Sequence, residues 1–141
     1  MLRLVIAFLL TLMLAAPARA QSPSAADQAE FQRVISQQIA AFRADNDEAA
    51  YGFAAPSIKR LFPSPDIFMR MVRQGYRPVY RPRSFRFGEV ALDPLGRPTQ
   101  RVTIVGPDGR IYEALYSMER QPDGSWRIDG CMLLESPGAD A

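Results

Sequence analysis

The side chains that could do chemistry in this chain are tyrosines, arginines and carboxylates, because it has no histidine and one cysteine, Cys131. An imidazole base and a zinc site of the usual Cys/His kind are therefore excluded, as is an intrachain disulfide. No Gly-rich phosphate loop or nucleophile motif is present. Asp129, in Trp126-Arg127-Ile128-Asp129-Gly130, is the carboxylate that could serve as a general base, provided burial raised its pKa. Strand alternation puts it on one face with Arg127 and Cys131, opposite Trp126 and Ile128. That arrangement points to a surface or interface salt bridge instead. Tyr51, Tyr76, Tyr112, Tyr116 and Trp126 are the amphipathic candidates for lining a pocket. Their commoner role is in a core, with the polar tip on a partner.

A second constellation is basic. Eight arginines (Arg70, Arg73, Arg77, Arg81, Arg83, Arg86, Arg97 and Arg101) fall where the only acids are Glu89 and Asp93, with Tyr76, Tyr80, Phe85 and Phe87 interleaved. A guanidinium fork matches paired oxygens, so such a belt suits a carboxylate or phosphate. Arg73 and Arg77, which flank Tyr76, are the candidate contacts. The plainer reading is a solvated surface partly paired with the acidic first half of the chain.

Residues 1–20 read as a cleavable export signal. Arg3 precedes an apolar run from Leu4 to Leu14 broken only by Thr11, and Ala18-Arg19-Ala20 places the cut after Ala20. The run is shorter than the ~20 apolar residues of a membrane span, and no later run is long enough. The expectation is a periplasmic or secreted chain with no stable membrane insertion after cleavage. Arg3 and Arg19 leave with the signal, so the 17 basic residues of the full chain fall to equal the 15 acidic ones. That balance argues against nucleic acid as a partner. Cys131, alone in an oxidising compartment, is expected to be a buried structural thiol.

These side chains must be positioned by one α+β domain over residues 21–141 with short disordered ends. Three helices are expected before Gly75. Ser24 and Asp27 begin the first, whose stripe of Phe31, Ile35, Ile39 and Phe42 is widened by Val34 and interrupted by Gln38. A short second helix over Ala49–Ala54 is interrupted at Pro56, and Ile58, Leu61 and Phe62 make one further turn. Ser64-Pro65-Asp66 starts a third, which Gly75 ends. Turns at Asp93–Gly96, Gly106–Gly109 and Gln121–Gly124 share Pro second and Gly fourth. They imply a four-stranded antiparallel meander over Ser84–Leu92, Arg97–Val105, Arg110–Arg120 and Ser125–Leu134. Phe85 and Phe87 differ in parity from Val90 and Leu92, so a bulge at Gly88-Glu89 is expected. The outer face would carry Leu115, Leu133 and Cys131, a surface suited to a homodimer.

The helices followed by a curved meander ending in Trp126-Arg127-Ile128-Asp129-Gly130 resemble the nuclear transport factor 2-like superfamily. That final Trp126 segment and three others resemble the small secreted bacterial family called domain of unknown function 4864: Ile35-Ser36-Gln37-Gln38-Ile39-Ala40-Ala41-Phe42, Ala50-Tyr51-Gly52-Phe53-Ala54-Ala55-Pro56-Ser57-Ile58 and Met71-Val72-Arg73-Gln74-Gly75-Tyr76. The resemblance spans Phe31 to Leu134. It implies a cone-like fold with a pocket between sheet and helices, and no activity. Superfamily enzymes built on an Asp–His pair have no counterpart here. The expected function is a non-catalytic ligand-binding or interaction domain that needs no cofactor or metal and takes a small apolar or anionic ligand. The alternative is a small isomerase- or hydrolase-type enzyme using Asp129 or a tyrosine with arginine assistance.

Overall fold

The leading helix, α1 (Ala25–Arg43), opens on a reciprocal cap: Ser24 Oγ accepts from the Asp27 amide at 3.0 Å, and Asp27 Oδ2 accepts from the Ser24 amide at 3.1 Å. Its apolar stripe of Phe31, Val34, Ile35, Ile39 and Phe42 is buried. Gln38 is buried on the same stripe. It is tolerated because its Nε2 donates to the Ala50 carbonyl at 3.1 Å. These coordinates are a computed structural model that describes residues 22–136. The expected export signal and the last five residues lie outside the described residues.

Four shorter helices follow: α2 (Asp47–Gly52), α3 (Pro56–Leu61), α4 (Pro65–Gly75) and α5 (Arg77–Tyr80). Among the described residues the expected three helices become five: the turn expected at Ile58–Phe62 is the helix α3, and α5 was not expected. Pro56 does not merely interrupt a helix; it occupies the first turn of α3, where its missing N–H costs nothing. Pro78 does the same for α5. Ser64 caps α4 by accepting from the Ile67 amide.

The strands are β1 (Ser84–Leu92), β2 (Pro98–Val105), β3 (Ile111–Arg120) and β4 (Trp126–Glu135), in one antiparallel sheet ordered β1-β2-β3-β4. Each hairpin turn closes with an amide-to-carbonyl bond, such as Gly109 N to Gly106 O at 3.0 Å. Gly109 sits at a φ of 80°, a conformation that glycine adopts without penalty. The inner face supplies Val102, Ile104, Ala114, Tyr116, Met118 and Ile128, which form one core with α1, α4 and α5. The chain also returns to β4 after α2, where Ala55 N donates to Ile128 O at 2.7 Å and Ile128 N donates to Phe53 O at 2.9 Å.

The sheet carries two bulges. One falls at Gly88-Glu89, where the parity change predicts it: Phe87 pairs with Val102 but Val90 with Gln100. The other was not expected. Ser117 pairs with Gly130 and Met118 with Ile128, so Asp129 is an extra residue on β4. It reverses the facing of everything after it. Cys131 and Leu133 therefore lie on the inner face opposite Tyr116 and Ala114, not on the outer face with Leu115. Met132 and Leu134 take the outer positions and are exposed.

Candidate functional site

An apolar pocket of about 360 Å³ lies between the inner face of the sheet at β3–β4 and the helices. Ile58, Leu61 and Phe62 form one wall, Phe68, Met71 and Val72 another, and Tyr116, Ile128 and Cys131 the sheet side. Its walls follow from local sequence. In α3 and α4 the apolar residues recur three and four apart, so each short helix turns one side toward the sheet. Polar groups inside are few. Gln38 is committed to the Ala50 carbonyl. Tyr76 Oη donates to the Cys131 carbonyl at 3.0 Å, and burial raises its pKa. Tyr116 Oη is enclosed and has no hydrogen-bond partner among the described residues. The Cys131 thiol lies near that hydroxyl, but sulfur is a weak partner and their geometry does not complete a bond. Burial pushes the thiol from its ordinary 9.0 up to about 12, the Tyr116 hydroxyl opposing slightly.

Of the residues proposed from sequence, Tyr76 and Tyr116 meet in this pocket. The others lie apart from it. Tyr51 Oη donates to the Phe62 carbonyl at 2.6 Å, its ring against Phe68 behind the pocket wall. Tyr112 Oη donates to Asp108 Oδ2 at 2.7 Å beside the β2–β3 turn. Trp126 packs edge-on against Phe31, with Nε1 donating to Asp27 Oδ1 at 3.3 Å and Arg120 over its ring. Arg73 is paired with Asp47 at 3.3 Å on the outer side of α4, and Arg77 is exposed on α5. Ile58, Leu61 and Met71, which the sequence reading did not single out as lining residues, complete the pocket. For Ile58 and Leu61 the signal was an apolar i, i+3 pair in a proline-bounded turn, and for Met71 the same spacing from Phe68 in α4.

Of the eight arginines grouped from the sequence, five are held by groups of the chain itself, Arg73 as above. Arg81 pairs with Asp45 at 2.8 Å and donates to the Phe42 carbonyl, while Arg83 donates to the Pro107 carbonyl. Arg101 lies between Glu89 and Glu113 on the outer face of the sheet. Arg97 bridges Asp93 at 2.9 Å and Asp129 at 3.2 Å. Asp129 thus pairs with Arg97, not with Arg127 beside it in sequence. Its side chain is 4% exposed, and Oδ1 has no hydrogen-bond partner among the described residues. Near it, on the outer face, Ala91, Thr99, Ser117 and Gly130 line up across the strands. Their small side chains leave a groove of about 500 Å³.

Among the described residues no group of three or more His, Cys, Asp or Glu is placed to hold a metal ion. No helix among them is long and apolar enough to cross a membrane. A family model described as a domain of unknown function (DUF4864) matches residues 24–141. No curated protein and no solved structure matches the chain.

Proposed function

Because the chain belongs to the DUF4864 family, whose description carries no activity, we propose its role from the pocket: an exported, non-catalytic domain that binds one small, largely apolar molecule between sheet and helices. The observation that carries this reading is the combination of about 360 Å³ of space with walls that are almost wholly apolar. Sites for small molecules have this character, a mostly apolar concavity with a few placed polar groups. The pocket's two remaining polar groups, the enclosed Tyr116 hydroxyl and the thiol of Cys131, a residue that is half-buried where a buried one was expected, both stay protonated at neutral pH. They suit orientation of a ligand more than attack on it. An enzyme using Asp129 is less well supported, since that carboxylate is not among the residues lining the pocket. Export to the periplasm or beyond rests on the pattern of residues 1–20. The order of helices then meander is compatible with a nuclear transport factor 2-like cone.

The test uses the processed chain starting at Gln21, which keeps every helix and strand from Ala25 to Glu135. Titration with the neutral apolar fluorophore N-phenyl-1-naphthylamine should give one saturable site. Ile58→Trp, which places a larger side chain in the pocket wall, should weaken it by about tenfold or more while unfolding stays cooperative. Fluorescence that never saturates, or that is indifferent to Ile58→Trp, would sink the reading.

A further inference from the structure

The outer face of the sheet sets a trench beside a ridge. Ala91, Thr99, Ser117 and Gly130 stand in register across β1 to β4, and their small side chains floor the groove of about 500 Å³. Gly130 has to stay bare, since a Cβ there would lie 2.8 Å from Ser117 Oγ. Two residues along β2, β3 and β4, Arg101, Leu115 and Met132 form the next row on the same face. Leu115 and Met132 line the groove, and neither packs in the core. Met132 is 59% exposed, and Leu134, the next outward residue on β4, is 46% exposed. Trench and ridge thus run side by side, roughly 7 Å apart, the length of two residues of strand. Arg97 and Arg101 flank them, each held by two carboxylates of its own chain. The rim therefore offers both signs of charge in close pairs and no free arginine for a polyanion.

We propose that this face joins two copies of the chain. A twofold axis lying in the interface, parallel to the two rows and midway between them, carries the ridge of each copy onto the trench of the other. Met132 then seats over Gly130 of the second copy, and Leu115 over Ser117 of the second copy. A ridge and a trench on one surface are the self-complementary shape that an isologous contact requires. Charge pairs of both signs at the rim are likewise complementary to their own rotated image. Four strands of eight to ten residues, spaced ~4.8 Å apart and rising ~3.3 Å per residue, give the face roughly 550 Å². Two such faces withdraw about 1,100 Å² from water, just past the ~1,000 Å² expected of a specific interface, so the dimer is a reversible one. Gly130 and Cys131 line both this groove and the apolar pocket, so the second copy backs the β4 wall of that pocket. The proposal itself does not depend on what the pocket binds.

The experiment is sedimentation equilibrium of the processed chain from Gln21, over about 1–500 μM. A monomer–dimer equilibrium with a micromolar Kd is expected, at the weak end for specific interfaces. Met132→Glu, which sets a carboxylate against the trench of the other copy, should raise Kd by about tenfold or more. Met132→Ala, which shortens the ridge without adding charge, should raise it by a smaller factor. Met132 lies outside the core, so both variants should unfold in urea as cooperatively as the parent. Ile67→Glu, an equally drastic change at an exposed position on α4, should dimerise as the parent does. A chain that stays monomeric over the whole range overturns the proposal. A dimer that is indifferent to both Met132 variants uses another surface, and overturns it too. Saturable binding of N-phenyl-1-naphthylamine that is lost in Met132→Glu and kept in Ile58→Trp would seat a small molecule in the groove in place of the second copy.

Discussion

Tyr116 and Cys131 face each other across β3 and β4 on the inner side of the sheet, and both line the apolar pocket. The tyrosine hydroxyl is enclosed without a hydrogen-bond partner among the described residues, and burial, then the thiol, raises its pKa well above the ordinary value. An enclosed, unpaired hydroxyl is a cost that phenylalanine does not carry. Tyr116→Phe should therefore leave the free protein as stable as the parent, or up to about 1 kcal/mol more stable. Urea unfolding measures this. A clear loss of stability would mean that the hydroxyl is bonded.

The Cys131 thiol gives a pH-dependent prediction. Burial raises its pKa from 9.0 to about 12. Between those values the unfolded chain has lost a proton that the folded chain keeps, so stability falls as pH rises through that window. Cys131→Ser should flatten the decline, read from urea midpoints on either side of pH 9.0. At neutral pH the thiolate fraction is about a thousandfold below that of an unperturbed thiol, and alkylation by iodoacetamide should slow in proportion. Fast labelling of the folded chain would contradict the raised pKa.

The part of the fold that was legible in sequence is the part set by local chemistry. The Pro and Gly turns placed the hairpins, and the parity change from Phe87 to Val90 placed the first bulge. The second bulge left no such trace. Cys131, Met132, Leu133 and Leu134 are all apolar, so reversing their facing does not disturb any alternation. Gly130 was the one hint: a Cβ there would lie 2.8 Å from Ser117 Oγ, a cross-strand contact invisible along the chain. The pocket was legible as a class of residue and not as a set. Tyr51, Tyr112 and Trp126 resemble Tyr76 in type. What separates them is the group that takes each polar tip, for Trp126 an aspartate 99 residues away.

That aspartate ties the start of α1 to the sheet. Asp27 Oδ1 accepts from Arg120 Nη2 at 2.9 Å and from Trp126 Nε1 at 3.3 Å, while Oδ2 completes the cap with Ser24. Ser24→Ala should cost about 1 kcal/mol, as loss of a helix cap does. Asp27→Ala should cost more, because it also releases Trp126 and Arg120. The Asp27 pKa lies below its ordinary 3.8, mainly through the Ser24 amide and, less, through Ser24 Oγ, Trp126 and Arg120. The unfolded chain takes up the proton first, so this stabilisation is present above pH 3.8 and is lost as pH falls through the lower folded value. Asp27→Asn should reduce the acid sensitivity of thermal unfolding. An unchanged acid limb would show that other carboxylates govern it.

Arg97 and Asp129 form an unequal pair: the arginine side chain is 47% exposed and the aspartate 4%. Arg97 is also held by Asp93, whose Oδ2 accepts from its Nε at 2.9 Å and whose Oδ1 accepts from its amide. Removing the arginine would strand the Asp129 carboxylate, since its Oδ1 already has no hydrogen-bond partner among the described residues. Arg97→Ala should therefore destabilise the fold, because a polar group is left unmet in a buried place. Asp129→Asn in the same chain should recover part of that loss, because a neutral amide is less costly to enclose than a carboxylate. A double-mutant cycle by urea unfolding measures the coupling, and strictly additive effects would show that the pair carries none. Asp129 does not line the apolar pocket, so Asp129→Asn alone should leave fluorophore binding unchanged. A large change there would move the aspartate from the outer face of the sheet into the working site.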